Sequence, residues 1–177
     1  MKKELLKALV SKELVEVYTE VENATKFEVG KVLKFSEEFV LLANVSPIGM
    51  YDGFHLINTI DIYQINKNTK YIRNIKKLYE AKNQSHIDFE GKNDHLLESM
   101  LKFAEKNKFV VFIKLFEEAF IQGFIKKVEK EILVVSIVTD DGEFDGESYV
   151  KLEDIHSITC DDEQAVCLKI LSLDHSE

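Results

Sequence analysis

Eight consecutive positions, Asp140-Asp141-Gly142-Glu143-Phe144-Asp145-Gly146-Glu147, gather the carboxylates that could hold a calcium ion. A helix–loop–helix calcium site needs acidic ligands at alternate positions, a glycine at the sixth and a glutamate at the twelfth, and this stretch lacks that spacing. Aspartate and glycine also tolerate tight turns, so a solvated glycine turn accounts for the composition. The histidines are His55, His86, His95, His156 and His175, and none stands in an H-x-x-x-H or H-E-x-x-H arrangement that would pair two imidazoles on one helix face. Asp154 and His156, two apart on an expected strand, would share a face and could form half of an acid–base pair; a surface pair explains them equally well. Cys160 and Cys167 are the only cysteines. They could face each other across a hairpin or remain structural thiols, and neither has a neighbouring histidine motif. No phosphate-binding glycine loop, dinucleotide fingerprint or G-x-S-x-G elbow is present. The residues therefore nominate no catalytic, cofactor-binding or metal-binding set, and the expectation is a protein that is not an enzyme.

The chain has 177 residues, 45% of them hydrophobic and 31% charged, with 7 glycines and a single proline, which is the composition of folded domains. Its formal net charge is −9. An acidic surface repels phosphate backbones and attracts basic partners. Positive charge gathers on Lys67 to Lys82, where Lys70, Arg73, Lys76 and Lys77 lie on an expected helix; such a face can dock on RNA or an acidic partner, or simply be solvated. Arg73 is the only arginine, which removes most bidentate contacts to bases and phosphates. No apolar run approaches the ~18 residues of a membrane span and no signal-peptide pattern opens the chain, so a cytoplasmic location and no membrane partner are expected.

The elements that must position these residues are written twice. Phe27 to Ile65 lies without a gap on Phe120 to Ile158, an offset of 93 positions. Eleven positions are identical: Phe27, Gly30, Lys34, Glu38, Val45, Gly49, Asp52, Gly53, Asp61, Ile62 and Ile65, repeated as Phe120, Gly123, Lys127, Glu131, Val138, Gly142, Asp145, Gly146, Asp154, Ile155 and Ile158. Leu5, Leu6, Leu9 and Val10 predict a first helix over 2–13. Alternation predicts a half-buried strand over 14–21, and the polar stretch Asn23 to Lys26 a turn. A second strand, 27–35, carries Gly30 at a bend or close backbone approach. The apolar run 39–45 reads as a central strand, Ser46 to Gly53 as a loop and 54–65 as the fourth strand. Spacing predicts a helix over 69–80, with Asn66-Lys67-Asn68 as its cap, then a late fifth strand at Ile87 and Phe89. Gly91-Lys92-Asn93 marks the boundary between modules 1–91 and 92–177. Asp94 would cap the second module's helix, whose stripe is Leu96, Leu97, Met100, Leu101 and Ala104. Phe109, Phe112 and Phe116 leave the next strand apolar on both faces, either as core or as an interface. After Ile158 the copies diverge: Val166, Leu168 and Ile170 alternate behind a turn, Asp161 to Gln164, and predict a hairpin. The end, Asp174 to Glu177, is polar and expected to fray.

A helix followed by about five short, bent strands, with glycine in the second, resembles the small barrels of the Sm-like and SH3-like group. The resemblance implies a mainly β chain with helices (α+β): two tandem small bent antiparallel β-barrels, each preceded by a helix. Sm-like proteins commonly bind RNA and assemble, but the turns that would carry their RNA contacts read Ser36-Glu37-Glu38 and Glu129-Lys130-Glu131, then Asn66-Lys67-Asn68 and Asp161-Asp162-Glu163, and do not match. The expected role is thus a binding or assembly protein, foremost a protein-interaction module, with an Sm-like RNA binder or an acidic immunity-type inhibitor of a basic toxin as alternatives.

Overall fold

The computed structural model describes residues 1–21, 25–116 and 119–174. Among the described residues it contains ten antiparallel strands and four α-helices, and it divides into two compact units, Met1–Leu96 and Leu97–Glu177. In the first unit α1 (Lys2–Ser11) is followed by β1 (Leu14–Tyr18), β2 (Glu28–Phe35), β3 (Phe39–Val45), β4 (Tyr51–Asn58), a 3₁₀ turn at Thr59–Asp61, β5 (Gln64–Lys67) and α2 (Lys70–Ala81). The second has α3 (Leu96–Lys106), β6 (Val110–Leu115), β7 (Phe120–Val128), β8 (Ile132–Val138), β9 (Phe144–Lys151), a 3₁₀ turn at Leu152–Asp154, β10 (Ile155–Cys160) and α4 (Glu163–Asp174). Strand order is β5-β1-β2-β3-β4 in one unit and β10-β6-β7-β8-β9 in the other. Among the described residues neither unit's strands close on themselves. Their bulges fall at matching places: Val32/Lys34 and Ala43/Val45 in the first unit, Ile125/Lys127 and Ser136/Val138 in the second.

The glycines at the bend have a steric cause. A Cβ on Gly30 would stand 2.8 Å from the Ala43 carbonyl oxygen, and one on Gly123 2.0 Å from that of Ser136, so only glycine lets adjacent backbones approach there. One core of the first unit packs Leu5 and Ala8 of α1 on Val15, Val17, Val32, Val40, Leu42 and Ile57; a second sets Ile72, Ile75 and Tyr79 of α2 on Leu14, Val29 and Val45. Both faces of β1 are therefore used, which is why it is buried along its length instead of half-buried as its alternation implies. In α1 the buried stripe is Leu5 and Ala8 with Leu9 partly covered, while Leu6 and Val10 are exposed.

Several sequence expectations are corrected. The largest is the second copy's ending: 163–174 is helix, at the same offset from α2 as the strands, with no hairpin. Ala165 and Leu168 pack on Val110, Phe112 and Val138, as Ile72 and Ile75 pack on Leu14, Val29 and Val45 in the first unit, so tertiary packing overrides the alternation of Val166, Leu168 and Ile170. That packing also covers the Val110–Phe112 face of β6 as core. The fifth strand is Gln64–Lys67, not Ile87 to Phe89, which has no regular structure. There the chain attaches through side chains: Gln84 Oε1 accepts from the Tyr51 N–H, and His86 Nε2 donates to the Asn44 carbonyl at the β3 bulge. The fourth strand starts and stops earlier than expected, at Tyr51 and Asn58. Thr69, rather than Asn66 to Asn68, caps α2. A 3₁₀ turn, Asn93–His95, displaces Asp94 from the α3 cap. Asn23, within the expected turn before β2, and 175–177 at the chain's end lie outside the described residues. Among the described residues no helix is long and apolar enough to cross a membrane.

Candidate functional site

The acidic stretch 140–147 is split by the fold. Thr139 to Glu143 is a turn closed by the Gly142 N–H donating to the Thr139 carbonyl and the Glu143 N–H to the Thr139 hydroxyl. Gly142 has φ +88° and lies against Leu171 and Ser172 of α4, where a side chain would collide. The carboxylates then disperse: Asp140 accepts from the Gln122 amide at 2.8 Å, and Glu147 pairs with Lys126. No group of three or more histidine, cysteine, aspartate or glutamate side chains able to hold a metal ion exists among the described residues.

From Phe144 the chain enters β9. Its residues are exposed except Ser148 and Val150, and its only strand partner among the described residues is β8. Phe144 and Tyr149 are 50% and 70% exposed. Phe144 stacks at 6.0 Å on Phe124, and both line an apolar cleft of about 280 Å³ with Phe109 and Leu173. The strand thus offers an open main-chain edge, aromatic side chains and carboxylates together.

The other nominated residues scatter. Asp154 ends a 3₁₀ turn while His156 stands in β10 beside Phe116, at 5.9 Å between rings, so the two do not form a strand pair. Cys160 is buried in β10 and Cys167 exposed on α4, both as free thiols; burial pushes the Cys160 thiol well up. Lys70, Arg73, Lys76 and Lys77 are exposed on α2, whose apolar side faces the sheet. Phe116 is exposed at the end of β6.

Two polar clusters in the first unit were not visible in the sequence. Glu16, 3% exposed on β1, accepts from the Thr69 hydroxyl at 2.5 Å, the Asn66 amide at 2.9 Å and the Tyr18 hydroxyl at 3.1 Å. Burial and this carboxylate push the Tyr18 phenol up. In the second cluster His55 Nδ1 lies 2.5 Å from Glu28 Oε2, which also accepts from the Asn44 amide at 2.9 Å. Burial opposes the charge on Glu28, but His55 and Asn44 outweigh it and hold the carboxyl below the usual range. His86 is a third case: burial lowers its imidazole, which accepts from the Tyr79 hydroxyl at Nδ1 while Nε2 donates to Asn44. Strand alternation could have paired Glu28 with His55 only through the β2–β3–β4 register, which sequence does not supply.

No model of a known protein family matches the chain, and no curated protein matches it.

Proposed function

We propose that the chain is a non-enzymatic protein-interaction module, derived by internal duplication of a small Sm-like or SH3-like sheet, that captures a basic extended segment along β9. The observation that carries this reading is the open edge of β9. The outer edge of an end strand presents a row of N–H and C=O groups to which an extended peptide can add as a further strand. Main-chain hydrogen bonds supply affinity, and the Phe109, Phe124, Phe144 and Leu173 cleft accepts an apolar side chain of the segment. Asp145 and Glu147 on the strand, Asp140, Asp141 and Glu143 before it, and the net charge of −9 favour a basic partner and speed its approach. Inhibition of a basic toxin is one concrete form of that role. Matching strand order, the bulges along β2–β4 and β7–β9, and α4 standing 93 positions after α2 support the duplication. Two free thiols suit a reducing, cytoplasmic setting.

A second reading, RNA binding of the Sm-like kind, draws on the exposed Lys70, Arg73, Lys76 and Lys77 face of α2. One comparison separates the two. Tagged full-length protein and its Asp145→Lys/Glu147→Lys variant are used to recover partners at low salt from the native host. The protein-module reading predicts a basic protein that is released by salt and lost with the variant. Equal recovery by both contradicts it, and material released by nuclease instead supports the RNA reading.

A further inference from the structure

Glu28, Asn44 and Asp52 share with Phe27, Tyr71 and Lys26 the lining of a cleft of about 330 Å³ in the first unit. Glu28 keeps its charge, and among the described residues its bonds go to one oxygen: Oε2 takes both His55 and Asn44, and no hydrogen bond reaches Oε1. The side chain is 35% exposed, so that oxygen can be reached. The Asn44 Oδ1 and His55 Nε2 are buried with no hydrogen-bond partner among the described residues. Phe27 and Tyr71 meet edge to face at 5.4 Å and form the aromatic side of the cleft, with Tyr71 38% exposed on α2. Lys26, the cation of this lining, bonds at 2.5 Å to Glu20, and its charge also favours the ionised form of Glu28.

The fold does not require this polar set. At the same offset the second unit places Ile121, Ile137 and Ser148 where the first has Glu28, Asn44 and His55, and Gln164 where it has Tyr71. Both units nevertheless build the same strand order with matching bulges along β2–β4 and β7–β9. Burying a carboxylate, an amide and an imidazole costs desolvation that apolar residues avoid. The difference between the units therefore points to a ligand of the Glu28 carboxylate.

We propose that this cleft binds an organic cation on an aliphatic stem, as an arginine side chain of a protein partner presents it. A guanidinium would donate to Glu28 Oε1 and lie against the Tyr71 ring, combining a charge-assisted hydrogen bond with a cation–π contact. The site is separate from the β9 edge and does not depend on it.

The test titrates isotopically labelled full-length protein with N-acetyl-arginine methylamide, its neutral isostere N-acetyl-citrulline methylamide, and spermidine. The arginine probe shifts the amide resonances of Phe27, Glu28 and Asn44 saturably, in the millimolar range suited to a single side chain, and the citrulline probe leaves them in place. Tyr71→Ala, on the exposed face of α2 with the polar set intact, weakens binding about threefold to tenfold. Glu28→Gln weakens it by about tenfold or more. The proposal is overturned if citrulline shifts the same resonances, if the arginine probe never saturates, or if Tyr71→Ala binds as tightly as the natural protein. Tighter binding of spermidine would assign the cleft to a free polyamine and overturn the peptide source.

Discussion

Glu16 and Glu28 are both held inside the first unit, and they differ in what their partners leave open. Glu16 divides three donors over its two oxygens, whereas Glu28 concentrates two on one. The Glu28 carboxyl titrates below its unfolded value because His55 and Asn44 favour the charged form. Its contribution to stability is therefore complete above the ordinary carboxylate pKa of about 4.3 and is lost as pH falls through the lower folded value. Denaturant unfolding of the natural protein and Glu28→Gln should show a stability gap that narrows as pH falls below about 4. A gap unchanged into acid would mean that Glu28 is not held in its charged form. At this scale the sequence was legible for Gly30 and Gly123, whose types declare a backbone constraint. It was illegible for Glu16, which alternation assigned to an exposed face; what decides its burial is the β1–β5 pairing that sets it opposite Asn66.

The helices after the fifth strands show how an element can hide. In α2 the inward positions Ile72, Ile75 and Tyr79 contrast with outward Arg73, Lys77 and Glu80, and the period is plain. At the same offset α4 has outward Val166, Ile170 and Leu173, all exposed, so no polar face marks the helix. A short apolar run of this kind fits strand and helix equally. Its cap was the better signal: Asp162 Oδ1 accepts from the Ala165 N–H at 2.7 Å, as the Thr69 hydroxyl does from Ile72 at 3.1 Å. Thr69 has a second duty, donating to buried Glu16. Asp162→Ala should cost about 1 kcal/mol, an ordinary cap loss. Thr69→Ala should cost about 2–4 kcal/mol, since it removes a cap and takes a hydrogen bond from a buried carboxylate. Equal unfolding midpoints for the two variants would show that the Thr69–Glu16 bond adds nothing.

Across the whole chain, the repeat was readable because most of the eleven identities fall on turns, bulges and core positions that both units share. The expected composition of the fold, α+β with antiparallel strands, followed from it. Strand pairing did not, because it depends on residues far apart in the chain, and β9 reads as an ordinary strand until its neighbours are known. The same sheet plan has been given different surfaces: a carboxylate-lined cleft in the first unit, an exposed aromatic and acidic strand in the second. The central claim is that β9 is open and receives a basic segment. Amide hydrogen exchange of the full-length protein, measured alone and with its recovered basic partner, tests this most directly. The account predicts that alternate β9 amides exchange fast in the free protein and slow in the complex, while β8 is unchanged. β9 amides already as protected as those of β8 in the free protein, or unaltered when the partner binds, would contradict it.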